Sequence, residues 1–214
     1  MLGVTLSSPG FEELAEEARK RFMRHTGLQC VVVHTPAAKN YEVKLELPKM
    51  FDETVVWFDA DLWFVRDVDL AEFDDQEEFL AVLDPGIHDF NHFPLHDSKV
   101  LRINHLKYFN SGFFVWNSRH HRAFEEARKV MLLDKAKLKD FGEQSSLNAG
   151  VQRTCKLKLL SSTYNYMPFA ELHHMRGLVR QTQPLTIHAA GYSAEHKLAA
   201  LQYQEAHYSG RYAL

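Results

Sequence analysis

Two carboxylates separated by one residue, Asp59 and Asp61, interrupt an apolar stretch that runs Val55-Val56-Trp57-Phe58 before them and Leu62-Trp63-Phe64-Val65 after them. Ionised carboxylates are not left dry in such surroundings, because desolvation costs several kcal/mol per charge unless a cation or hydrogen-bond donors compensate. An apolar run of this kind reads as a buried strand, so the pair marks a strand end that opens into a site. In extended backbone, residues i and i+2 point to the same side. Both carboxylates can then face one hard divalent ion that keeps waters and phosphate oxygens among its ligands. A capped strand end or surface turn is the plainer reading, and the apolar flanks on both sides argue against it.

The elements around the pair read as alternating strands and helices. Val4-Thr5-Leu6 forms a short first strand, and Ser8-Pro9 has the form of an N-cap and first helical residue. Phe11, Leu14, Ala15, Ala18 and Phe22 then share one helical face, with Glu12, Glu13, Glu16 and Glu17 early, Arg19, Lys20, Arg21 and Arg24 late, and Gly27 as terminator. Residues 28–33 form a second strand ended by Thr35-Pro36, and residues 55–58 a third. Strand, helix and strand joined by short links imply a parallel sheet wound with helices.

Further strands are expected at 79–83, 112–116 and 185–188, and a half-exposed one where Cys155, Leu157 and Leu159 alternate with Lys156 and Lys158. Residues 88–97, polar, aromatic and interrupted by Pro94, read as a loop. Asn117-Ser118 caps a helix with Phe124, Ala127 and Met131 on one face, residues 145–151 form a short helix, and Ser193 caps a last one through Leu198 and Leu201. In open α/β sheets ligands sit beyond the carboxyl ends of the strands, which is where Ser7, Ser8 and the acidic pair fall. Ser7 and Ser8 can contact a nucleotide there, or simply cap the helix.

The 214 residues, 45% hydrophobic, suit one domain over 1–214. Lys plus Arg number 25 against 28 Asp plus Glu, a formal charge of -3, which leaves no electrostatic footprint for nucleic acid. No apolar run approaches the roughly 20 residues of a membrane span, and the N-terminus enters an acidic helix instead of a secretory signal, so a cytoplasmic protein is expected. The two cysteines, Cys30 and Cys155, lie in apolar runs and read as reduced core thiols.

Residues 55–61 resemble the hhhhDxD signature of glycosyltransferases with the GT-A fold. Four further segments follow in order: Tyr108-Phe109-Asn110-Ser111-Gly112 is similar to Y-F-N-x-G of glycosyltransferase family eight, and Glu143-Gln144-Ser145-Ser146-Leu147-Asn148 to D-Q-D-x-L-N. Tyr164-Asn165-Tyr166 is similar to W-N-Y, and His188-Ala189-Ala190-Gly191 to H-F-x-G. Five matches in sequence, spanning about residues 50–195, make the resemblance specific.

The resemblance implies an α/β, Rossmann-like, mostly parallel central sheet flanked by helices, and a nucleoside-diphosphate sugar donor, a UDP-sugar foremost. It implies Mn²⁺ or Mg²⁺ at Asp59, Asp61 and His188, with Asp59 also near the ribose, and transfer to a carbohydrate acceptor with retention of anomeric configuration. Lys44 falls where a basic residue stands near the donor, or is a solvated lysine. Asn110 is implied at the donor sugar and Gln144 beside the anomeric carbon, with Glu143, one methylene longer than the usual Asp, at the sugar hydroxyls. Gly191 belongs to the late motif that holds the diphosphate. Its lysine usually comes three residues later, followed by Pro-Trp; here Lys197 comes six residues later and no Pro-Trp follows.

Other readings compete. His88, His92 and His96 with Asp89 and Asp97 invite a second metal site, but Pro94 interrupts the continuous helix that their spacing needs, and an aromatic loop around Phe90 and Phe93 that receives an acceptor sugar fits better. A haloacid dehalogenase-type phosphohydrolase also carries D-x-D after an apolar strand, with the first Asp as nucleophile, but places it on the first strand. An inert sugar-nucleotide-binding domain of a larger protein is the third alternative.

Overall fold

The computed structural model describes residues 1–36, 40–88, 93–139, 143–168, 183–190, 192 and 194–208. The strands are β1 (Leu2–Ser7), β2 (Cys30–His34), β3 (Val55–Phe58), β4 (Leu62–Phe64), β5 (Phe79–Leu83), β6 (Phe109–Trp116), β7 (Leu157–Leu160) and β8 (Thr186–His188). The helices are α1 (Glu12–Thr26), α2 (Asn40–Glu46), α3 (Phe93–Leu101), α4 (His121–Asp134), α5 (Glu143–Thr154) and α6 (Ala194–Tyr208). Six strands form one sheet in the order β2-β1-β3-β6-β5-β7, and β4 with β8 forms a second, two-stranded sheet. In the large sheet β6 runs antiparallel to β3 and β5, while β1–β2, β1–β3 and β5–β7 are parallel.

β3 lies in the interior of this sheet, and both of its faces are covered. Val56 and Phe58 join Leu14, Ala18 and Phe22 of α1 and Leu62 and Phe64 of β4, whereas Val55 and Trp57 pack with Phe124 and Ala127 of α4 and Leu147 and Val151 of α5. This double burial is why the run before Asp59 is apolar at every position and not at every second one. Phe22 stacks on Phe58 with ring centroids 4.9 Å apart.

α1 ends as expected at Gly27, whose φ of 71° is the left-handed terminator. Its start differs from the sequence reading. Gly10, at φ 86°, turns the chain, Phe11 N donates to Ser8 O at 2.8 Å, and the helix begins at Glu12 with no side-chain cap. Ser8 and Pro9 therefore belong to the strand-to-helix turn and not to the helix.

The segment read as a loop at 88–97 becomes helical from Phe93. Pro94 is the second residue of α3, where its missing N–H would have had no intrahelical partner anyway. α2 is a further helix that the sequence reading did not place.

α6 is pinned at its far end. Arg21 of α1 pairs with Glu205 and lies over the Trp63 ring at 4.0 Å, and Arg66 donates to Tyr208 O at 3.0 Å. Both cysteines are free thiols, and burial pushes Cys30 up to about 12. Among the described residues no helix is long and apolar enough to cross a membrane.

Candidate active site

The chain turns sharply after β3. Asp59 N donates to Gly112 O at 2.9 Å, Leu62 N closes the turn on Asp59 O at 2.9 Å, and β4 begins at once. β4 pairs antiparallel with β8, setting Leu62 opposite His188, and Ala189 N donates to Asp61 O at 2.9 Å. One ligand atom each from Asp59, Asp61 and His188 then lies within 4.8 Å of the others, the one such group of three among the described residues. His188 Nε2 stands 3.2 Å from Asp61 Oδ1 and 4.0 Å from Asp59 Oδ2.

The other ring nitrogen decides what this convergence is for. His188 Nδ1 lies 2.8 Å from Asn165 Oδ1, a carbonyl oxygen that only accepts, so the proton of the neutral ring is on Nδ1 and Nε2 offers a lone pair. Two carboxylate oxygens and an imidazole lone pair repel one another unless a cation stands among them. This donor set, hard oxygens with one nitrogen, fits a divalent cation.

Each carboxylate also has a lysine, and the two differ. Lys44 of α2 is buried, and its ammonium meets Asp59 Oδ1 at 2.9 Å, Glu143 Oε2 at 3.6 Å, and Ser111 O and Oγ at 3.2 Å. Burial works against its charge, but Asp59 and Glu143 outweigh that effect and raise its pKa above the ordinary lysine value. Trp57 Nε1 also donates to Asp59 Oδ1, at 3.2 Å, which leaves Oδ2 for the convergence.

Lys197 comes from the first turn of α6 and pairs with Asp61 Oδ2. Burial pushes the Asp61 carboxyl upward, but the His188 ring when protonated on both nitrogens, together with Lys197, outweighs it and holds it well below the usual carboxylate range.

Asp59, Asp61, Lys44 and Lys197 line a cavity of about 180 Å³ with Leu6, Ser8, Phe11 and Ala60. Ser8 is shared with a second cleft of about 350 Å³ at the carboxyl ends of β1 and β2, where Ser7, His34 and Thr35 also lie. Ser7 Oγ is buried with no hydrogen-bond partner among the described residues. The geometry thus brings together Ser7, Ser8, Lys44, Asp59, Asp61, His188 and Lys197; Gly191 lies outside the described residues.

Asn110, Glu143 and Gln144 gather around Ser111. Gln144 Oε1 accepts from Ser111 N at 2.9 Å and its Nε2 donates to Asp84 Oδ2 at 2.9 Å, while Asn110 Nδ2 donates to the same oxygen at 3.2 Å. Asp84 is therefore a hub that the sequence reading missed. Its signal was present: like Asp59 it is a carboxylate directly after an apolar strand, β5.

The second metal cluster does not form among the described residues. His96 Nδ1 faces Asp97 Oδ1 at 2.7 Å, and Asp97 is engaged by Ser145 Oγ at 2.7 Å and Lys139 N at 2.9 Å, while Asp89 and His92 lie outside the described residues.

No family model and no curated protein matches the chain. Solved structures do. The galactosyltransferase LgtC, in complex with donor and acceptor sugar analogues, aligns with a TM-score of 0.66 at 14% identity over 95% of this chain and 96% of that one. The glycosyltransferase GlyE of Streptococcus pneumoniae TIGR4 gives 0.62 at 13% identity over 92% of this chain and 59% of that one. A glycosyltransferase involved in glycosylation of the major capsid of PBCV-1 gives 0.62 at 10% identity over 95% and 100%. At these identities the likeness is one of fold, and the chain has the GT-A fold of glycosyltransferases, a mixed central sheet between helices with the acidic pair at the carboxyl end of β3.

Proposed function

We propose that the chain is a single catalytic domain that moves a sugar from a nucleoside-diphosphate sugar, a UDP-sugar, to a hydroxyl of a carbohydrate acceptor. The reading is carried by one observation: three acceptor atoms of Asp59, Asp61 and His188 converge beside a cleft at the carboxyl ends of a GT-A sheet. Mn²⁺ or Mg²⁺ held there would offset the charge that builds on the nucleoside diphosphate as it leaves.

The chain's own groups have separable tasks. Ser7 and Ser8 line the cleft for the nucleoside, and Asp59 serves ribose as well as the ion. Lys197, long and paired with Asp61, reaches the diphosphate, and Gly191 serves the same group. Lys44, buried and shared among Asp59, Glu143 and Ser111, holds Asp59 in place. Asn110, Glu143 and Gln144 hold the sugar, and Gln144 is oriented by Ser111 and Asp84 so that a neutral amide faces an electron-poor anomeric carbon. Retention follows from the family-eight resemblance, and the departing phosphate then takes the acceptor proton, so no protein base is required.

The test is a screen of nucleotide sugars with and without Mn²⁺, read first as a rise in melting temperature and then as metal-dependent donor hydrolysis. Stabilisation by UDP and Mn²⁺ together, and hydrolysis lost in Asp61→Asn, are expected. Full hydrolysis by Asp61→Asn, or a folded protein indifferent to every donor, would count against the reading.

A further inference from the structure

Three side chains lead from the sugar side of the cleft to His188, and the sense of every hydrogen bond along them is determined. Gly112 N–H, a backbone donor that cannot reverse, points at Asn110 Oδ1 at 2.9 Å. Asp84, a carboxylate that only accepts when ionised, receives Asn110 Nδ2 at 3.2 Å. Both ends of the Asn110 amide are thereby assigned. Asn110 Oδ1 also accepts Asn165 Nδ2 at 3.0 Å, which turns Asn165 Oδ1 to His188 Nδ1 at 2.8 Å. Asn165, His188 and Asp84 are all buried, so water does not substitute for these partners cheaply.

The same segment grips the histidine backbone. His188 N donates to Tyr166 O at 2.7 Å, so consecutive residues hold both the main chain and the ring. The ring lies directly over Gly112, where a Cβ would come within 2.4 Å of His188 Cε1. Ring position and the proton on Nδ1 are both set from outside the acidic cluster.

We propose that Asn165, oriented by Asn110 and Asp84, is a positioning residue that fixes His188 as the Nδ1–H tautomer and so presents the Nε2 lone pair to Asp59 and Asp61. Its purpose rests on the metal-site reading above, but the tautomer does not. Without Asn165 the ring is free to carry its proton on Nε2, 3.2 Å from Asp61 Oδ1, where it donates to the carboxylate and blocks a cation. Such outer partners of a ligating histidine are worth about 10- to 100-fold in metal affinity.

The test reads the tautomer directly, by long-range ¹H–¹⁵N correlation of the imidazole rings of the metal-free protein, with His188 identified by its absence in His188→Gln. Wild type should give the Nδ1–H pattern. Asn165→Leu, which removes donor and acceptor at similar volume, should shift His188 toward Nε2–H, and Mn²⁺ affinity measured by paramagnetic resonance of the free ion should fall about 10- to 100-fold. Asn165→Asp loses the donor to Asn110 Oδ1 but still accepts from Nδ1–H, and should keep the proton on Nδ1.

Should Asn165→Leu fail to fold, Asn110→Ala frees the Asn165 amide to rotate and should give a mixture of both tautomers. An Nε2–H ring in wild type, or an unchanged ring in folded Asn165→Leu, would overturn the proposal. If the ring shifts as expected while wild type binds no Mn²⁺, Asn165 keeps its positioning role and the metal-site reading is what fails.

Discussion

Lys197 sets its ammonium on Asp61 Oδ2, while Oδ1 of the same carboxylate faces His188 Nε2 at 3.2 Å. The site is thus poised between a cation supplied by the protein and one supplied from solution. Lys44 cannot play that part, because Asp59, Glu143 and Ser111 all hold it in place. Lys197 can: its helix is pinned through Glu205 and Tyr208 at the far end, and the side chain alone needs to swing.

Replacing Lys197 with methionine should therefore have opposite effects on two ligands. Mn²⁺ alone should bind more tightly, since no ammonium competes for Asp61. UDP in the presence of Mn²⁺ should bind about tenfold more weakly, the worth of one charge-assisted contact of about 1.4 kcal/mol. Calorimetry with each ligand separates the two, and a Lys197→Met protein unchanged toward both would remove Lys197 from the site.

Lys44→Met should act on stability. It strips the buried ammonium from Asp59 and Glu143 and leaves two carboxylates without their shared cation, the kind of change that costs about 3–5 kcal/mol. Urea unfolding of the metal-free protein measures it. A loss below about 1 kcal/mol would mean that solvent or another cation reaches these carboxylates.

Local pattern carried much of this in the sequence, and long-range pairing carried the rest. The acidic pair stood out because both of its flanks are apolar, and that double burial is real on β3. His188 was visible only through the order of motifs: β4 and β8 bring it opposite Leu62 across 126 residues, a pairing that no local periodicity encodes. Pro94 misled because proline is as compatible with a first helical turn as with a loop. Ser8-Pro9 misled because Gly10 adds a left-handed turn before the helix. Asp84 went unread although it repeats the strand-then-carboxylate pattern of Asp59, because its partners Asn110 and Gln144 arrive from β6 and α5.

The depressed Asp61 carboxyl fixes the sign of an acid effect. Its folded-state pKa lies below the unfolded value of roughly 4, so its stabilising contribution is complete above that pH and is lost as pH falls toward the folded value. The stability gap between wild type and Asp61→Asn, measured by urea unfolding in chelator, should be fully open just above about pH 4 and narrow as pH falls below it. A gap that widened on acidification would show that Asp61 is not held charged by His188 and Lys197.

Gly112 is required for a reason other than backbone freedom. It has an ordinary strand conformation, but a methyl group there would stand 2.4 Å from His188 Cε1 and 2.8 Å from Asn110 Oδ1. Neither neighbour can retreat easily, since Asn165 holds the one and Asp84 the other. Gly112→Ala should therefore cost about 1–3 kcal/mol of stability, the range for overpacking a filled interior. It should also displace the His188 ring from the acidic pair and weaken Mn²⁺ binding more than UDP binding to the serine-lined cleft. Urea unfolding and metal titration of the same protein check both halves; wild-type metal affinity in Gly112→Ala would mean that the ring reaches the carboxylates by another path.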